Sequence, residues 1–175
     1  MDRNPGFLRP RPGAGGRLAP ALCIAVEPRR ARGSTTGMAR LLVNIDVDDL
    51  DLAVGFYTRA LGLRVGRRFG SSGVELTGAE VPLYLLVAPA GTPPHPSSPA
   101  ARDYGRHWTP VHLDFEVQDL DAALRRAVEA GARVEIPVAE RRWGRIAVLS
   151  DPFGHGFCLL EFQGRGYDEI ATAHG

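Results

Sequence analysis

The phrase VDDLDLA at Val47–Ala53 returns as VQDLDAA at Val117–Ala123, and this recurrence limits the possible folds more than any other feature. The match extends outward. LLVNIDV leads into the first copy and PVHLDFEV into the second, and each copy is followed by a helical pattern, a glycine and a β-branched run. A chain that repeats at this length builds one supersecondary unit twice.

Each unit reads physically. LVNIDV and VHLDFEV alternate with the period of a half-buried strand. Asp49 and Asp119 then stand at helix N-caps, with Asp51 and Asp121 in the first turn, where the positive helix end favours acids. Leu50, Val54, Tyr57 and Leu61 make one helical stripe, and Leu120, Leu124, Ala127 and Val128 the other. Gly62 and Gly131 fall where a left-handed C-cap belongs. Three strands follow in each unit: about LRVGRRF, GVELTG and VPLYLLVA in the first, about RVEIPV, GRIAVLS and FCLLEF in the second. Asp151-Pro152-Phe153-Gly154 supplies the last hairpin turn, with proline second and glycine fourth. The expected fold is α+β, βαβββ in tandem: a first module over 38–88, a linker loop over 89–108, a second module over 109–164 and a tail over 165–175. The linker is rich in proline and small polar residues, and a loop of that length is usually functional or mobile; it is expected to cover a pocket.

Residues 1–37 differ. Seven arginines, five prolines and six glycines without a sustained period are the composition of a disordered tail. Leu18–Val26 imitates a signal peptide, but Pro20 interrupts it and EPRRARG follows where a cleavage site belongs. The segment is expected to be a disordered or spurious extension, outside the fold.

Composition excludes several functions. The net charge of +1 gives no case for nucleic acid or an anionic membrane as partner. Every basic residue is arginine, so Schiff-base and P-loop lysine chemistry is impossible. Two cysteines, Cys23 and Cys158, allow neither a disulfide framework nor a CxxC zinc pattern. No apolar run approaches the ~20 residues that span a bilayer, and a cytoplasmic location is expected.

VDDLDLAVGFYTRALGLRV, VHLDFEVQDLDAALRRAVEAGARV and DPFGHGFCLLEF, within two βαβββ units over about Ala39 to Phe162, resemble the vicinal oxygen chelate superfamily and its glyoxalase-like branch. That group includes glyoxalase I, extradiol dioxygenases and the fosfomycin- and bleomycin-resistance proteins. The resemblance implies curved sheets around a shared cleft, and a homodimer as a family-based expectation. It also implies four strand positions for metal ligands, which in metal-dependent members read His or Gln, Glu, His, Glu. Here they fall on Leu42, Tyr84, His112 and Cys158. Leucine cannot ligate, and tyrosine ligates poorly until ionised, near pH ~10. A catalytic divalent ion takes about three protein ligands. No cofactor is therefore expected, and a divalent metal is the lesser alternative.

The cleft is expected to be lined by Leu42, Asn44, Tyr84, Trp108, His112, Asp114 and Cys158, with His112 as the candidate acid–base group. Cys158 reads as a buried, unreactive pocket-wall residue, His155 as exposed or at the pocket rim. The expected function is metal-independent binding of a small aromatic or antibiotic-like molecule. Two alternatives stand: a metal-dependent or His112-based lyase, isomerase or dioxygenase, and a non-catalytic interaction module. A register test accompanies them all: His112 and Cys158 must face the same cleft.

Overall fold

The computed structural model describes residues 41–107 and 109–172. The expectation for residues 1–37, and that for Trp108, lie outside the described residues.

Local rules place the elements. Strand β1 (Val43–Val47) leads to helix α1 (Leu50–Leu61), then β2 (Arg64–Arg68), β3 (Gly73–Thr77) and β4 (Leu83–Val87). The second unit repeats this as β5 (Leu113–Glu116), α2 (Leu120–Ala130), β6 (Arg133–Arg141), β7 (Gly144–Ser150) and β8 (Gly156–Phe162). Asp49 accepts from the Leu52 N–H at 2.9 Å and Asp119 from the Ala122 N–H at 2.8 Å, so both N-caps form. Both helices stop at left-handed glycines, Gly62 (φ 68°) and Gly131 (φ 114°).

The sheets are open, four-stranded and curved, in orders β1-β4-β3-β2 and β5-β8-β7-β6. The first strand of each unit pairs in parallel with the last, and the remaining pairings are antiparallel. β1 and β5 are therefore each an edge, with one side not paired within its sheet. Strand alternation sends Ile45, Val47, Val74, Leu76, Leu83 and Leu85 from one sheet and Ala147, Leu149, Phe157 and Leu159 from the other into one core with the helices. Fully burying a side chain such as Phe56 or Leu120 stabilises by about 1.5–3 kcal/mol.

The helix stripes match their sequence reading in part: Tyr57, Leu120 and Ala127 are buried, and Leu50, Val54, Leu61 and Leu124 pack against the core. The buried positions of α1 are Ala53, Phe56, Tyr57 and Ala60, and those of α2 are Leu120, Ala123, Ala127 and Ala130. Val128 is 47% exposed. The helices pack on each other, and close approach favours small residues in the seam, which rotates each stripe toward its alanines.

The turn at Asp151–Gly154 ties the modules together. The Gly154 N–H donates to the Asp151 carbonyl at 3.1 Å. Asp151, 3% exposed, accepts from the N–H groups of Phe153 and His155 through Oδ1, and from the Tyr57 hydroxyl of the first module through Oδ2 at 2.8 Å. Burial first, then the Asp151 carboxylate, holds the Tyr57 hydroxyl well above its usual range, so it remains a donor. After β8, the chain makes a 3-10 turn at Gly166–Glu169, where Tyr167 packs edge-on against Trp143 and Phe162. No helix among the described residues is long and apolar enough to cross a membrane.

Candidate functional site

A cavity of about 690 Å³ lies between the edge strands β1 and β5, within the size range of small-molecule sites. Asn44 and Asp46 of β1, Leu113 and Phe115 of β5, Tyr57 of α1 and Phe157 of β8 contribute to its walls. His112, just before β5, also lines it. Its roof is the linker: Pro94, Ala101, Arg102, Asp103, Tyr104 and His107.

This strap is held at four places. Arg102 pairs with Asp46 at 2.7 Å and donates to the Pro93 carbonyl at 2.8 Å. The Tyr104 hydroxyl donates to the Ala88 carbonyl at 2.6 Å; burial, then the Asp46 carboxylate, pushes that phenol up to about 12. Arg106 pairs with Glu135, and the Gly105–Arg106 backbone lies against Gly154 so closely that a Cβ there would fall 2.1 Å from the Gly105 oxygen. His107 meets His155 at 3.0 Å, and His155 Nε2 donates to the Asp46 carbonyl at 2.9 Å.

The structure divides six of the seven residues expected at the cleft, Trp108 lying outside the described residues. Asn44 and His112 line the cavity. His112, Asp114 and Cys158 come together on the sheet face turned away from the helices: His112 Nε2 lies 3.3 Å from Asp114 Oδ1, and Asp114 pairs across the strands with Cys158. His112 is among the cavity walls, whereas Asp114 and Cys158 are not. Leu42, 38% exposed, precedes β1 and is not among the cavity walls. Tyr84, buried on the same face of the first sheet, is engaged elsewhere: its hydroxyl bonds Glu75 and Arg67 at 3.1 Å each, and its ring stacks on Phe69. Arg67 grips Glu75 with two bonds, of 2.8 and 2.7 Å, and holds that carboxyl down at about 2.

These residues do not fit the four-ligand metal arrangement of metal-dependent relatives. Leu42 has no donor atom, and the Tyr84 hydroxyl is committed to an ion pair. What remains is a trio, His112, Asp114 and Cys158, whose ligand atoms lie within 4.8 Å of one another. Imidazole with thiolate suits zinc or copper(I) rather than the oxygen-loving ions, and here the thiol is held protonated. Burial first, then a hydrogen bond and the charge of Asp114, push Cys158 up to about 12. A thiol so placed is unreactive. With Cys23 replaced by serine, Cys158 is expected to react with a disulfide reagent at pH ~8 at least about a hundredfold more slowly than in the denatured chain. Equal rates would contradict the buried thiol.

Sequence reasoning missed Arg102 and Tyr104 and placed His155 at a rim. Nothing local marks the first two, because a proline-rich linker carries no period that tells which side chains face inward.

The sequence pattern of the glyoxalase-like domain matches residues 42–160, both modules together. The chain belongs to the glyoxalase-like domain family. It is thereby a member of the vicinal oxygen chelate superfamily. Among curated relatives, the anthracycline biosynthesis protein DauV of Streptomyces sp. (strain C5) is 35% identical over 126 residues, covering 69% of this chain and 40% of DauV; the chain thus matches about two fifths of that relative. Among solved structures, TioX from Micromonospora sp. ML1 superposes with a TM-score of 0.55 at 21% identity, covering 72% of this chain and all of TioX. The fosfomycin resistance protein FosX of Listeria monocytogenes gives 0.55 at 17% identity, covering 79% of this chain and all of FosX. These two likenesses show the fold. The glyoxalase-like fold accounts for the paired sheets.

Proposed function

We propose that this glyoxalase-like protein binds a small, flat aromatic molecule in the strapped cavity, without a metal ion. The cavity wall carries the reading: the rings of Tyr57, Tyr104, Phe115 and Phe157 surround a volume sized for one small ligand, with a few polar groups placed among them. The degenerate ligand positions support metal independence. The names of two relatives, one an anthracycline biosynthesis protein and one a fosfomycin resistance protein, are compatible with a role toward antibiotic-like compounds.

The test pairs elemental analysis and mass spectrometry of protein purified from cells with titration of planar aromatic compounds, read by intrinsic fluorescence. Saturable binding of one molecule per chain, unchanged by a chelator, is expected. Binding that disappears with the chelator, or none across a varied aromatic set, would sink the proposal.

A second reading rests on the His112–Asp114 contact. An imidazole oriented by a carboxylate at a cavity wall is equipped for proton transfer. Under that reading a bound compound is turned over and His112→Ala abolishes the turnover. Under the binding reading the same variant retains affinity within a few-fold.

A further inference from the structure

The cavity roof contains a hydrogen-bond chain whose proton count can be worked out from its acceptors. His155 Nε2 lies 2.9 Å from the backbone carbonyl oxygen of Asp46, and His107 Nδ1 lies 2.9 Å from that of Gly105. A carbonyl oxygen only accepts, so each of these nitrogens carries a hydrogen. A neutral imidazole has one N–H. In two neutral rings, therefore, His155 Nδ1 and His107 Nε2 would both be bare lone pairs. Yet these two atoms face each other at 3.0 Å, with ring planes 80° apart. Lone pairs repel at that separation, and a hydrogen bond between them needs one proton more than two neutral rings contain.

We propose that His107 and His155 share a single proton as an imidazole–imidazolium pair, and that this proton latches the strap over the cavity. The pair joins three parts of the molecule: His107 on the strap, His155 beyond the turn of the second module, and the Asp46 carbonyl on β1 of the first. Its importance for binding rests on the cavity being the ligand site, whereas its existence does not.

The surrounding charged groups are largely committed to one another. The Asp46 carboxylate is held by Arg102, and Arg106 by Glu135, with Arg106 Nη1 also 3.4 Å from the Gly154 carbonyl. Asp151 accepts the backbone N–H of His155 and the Tyr57 hydroxyl. Tyr104 stands edge-on to the His155 ring, at 6.2 Å, with its hydroxyl on Ala88. Asp103 accepts the Gly105 N–H at 2.8 Å, and His112, paired with Asp114, shares the cavity wall.

Proton linkage fixes the sign on both sides. The closed strap holds one proton between the two rings. At high pH the separated rings are neutral and hold none, so closure takes up a proton and weakens as pH rises. At low pH the separated rings hold two, so closure releases one and weakens as pH falls. The stability of the closed strap therefore passes through a maximum, falling by up to about tenfold per pH unit on either limb.

Hydrogen exchange measured from about pH 5 to about pH 9, the range in which histidine changes charge, tests this on the full chain without any ligand. Protection factors for the strap, residues 102–107, corrected for the intrinsic base-catalysed rate, are expected to trace this maximum. In His107→Gln an amide N–H can donate to His155 without a shared proton, and the profile flattens while protection persists. A flat wild-type profile, or an unchanged maximum in the variant, overturns the latch. If the variant fails to fold, nitrogen NMR of the wild-type rings decides. One bridging proton, with N–H on His107 Nδ1 and His155 Nε2, is expected; two rings titrating independently refute the proposal. Since neither measurement uses a ligand, failure of the latch leaves the binding proposal standing, and failure to find a ligand leaves the latch standing.

Discussion

Asp151→Ala is expected to lower the stability of the fold by about 3–5 kcal/mol. The side chain is 3% exposed and serves three donors: the Phe153 and His155 N–H groups at 2.9 Å each and the Tyr57 hydroxyl at 2.8 Å. Alanine leaves all three without that acceptor in a buried place, and each buried unsatisfied donor costs about 1–3 kcal/mol. The Tyr57 bond crosses from one module to the other, so part of the loss falls on their association. Thermal unfolding should shift down by about 10 °C or more. Two variants partition the effect. Asp151→Asn keeps the oxygen that bonds the turn and should cost less than half as much. Tyr57→Phe removes only the bond between modules and should cost about 1–2 kcal/mol. A midpoint for Asp151→Ala within about 2 °C of wild type would show that water replaces the carboxylate and that the turn is not a structural tie.

Gly154→Ala is expected to release the strap while leaving the two sheets folded. Gly154 has φ 80°, a left-handed conformation that costs an alanine about 1–2 kcal/mol. Its added Cβ would also lie 2.1 Å from the Gly105 oxygen and 2.6 Å from its carbonyl carbon. Those are backbone atoms, with no flexible side chain to swing aside, so the strap itself must move. Protection of residues 102–107 against exchange and proteolysis should fall at least tenfold, and affinity for any cavity ligand should fall by a similar factor. Gly70→Ala is the control. It has φ 57° and nothing within 4 Å of the added Cβ, so it carries the conformational cost alone. If the two variants behave alike, the close approach of strap and turn is unimportant.

Parts of the fold were legible because their causes are local. A cap aspartate finds its N–H three residues away, a left-handed glycine ends a helix within one turn, and strand parity fixes which face a side chain takes. That parity turns Asp114 and Cys158, paired across β5 and β8, away from the buried Phe157 and Leu159. The helix stripes were legible in part: Tyr57, Leu120 and Ala127 are buried and Leu50, Val54, Leu61 and Leu124 pack against the core, but Val128 is exposed, because hydrophobicity alone ranks valine above alanine. The seam between packed helices selects for size instead.

The sequence by itself determined the two βαβββ units, their caps and their last turn, since each depends on residues a few positions apart. Only the tertiary structure decided where the cavity lies and what closes it. The contacts that do so join residues 94 positions apart for Tyr57 and Asp151, 56 for Arg102 and Asp46, and 109 for His155 and Asp46. No local pattern encodes such pairings. They exist because packing two sheets and two helices around one core brings the edges of β1 and β5 to opposite sides of a gap, and the linker joining the modules crosses it.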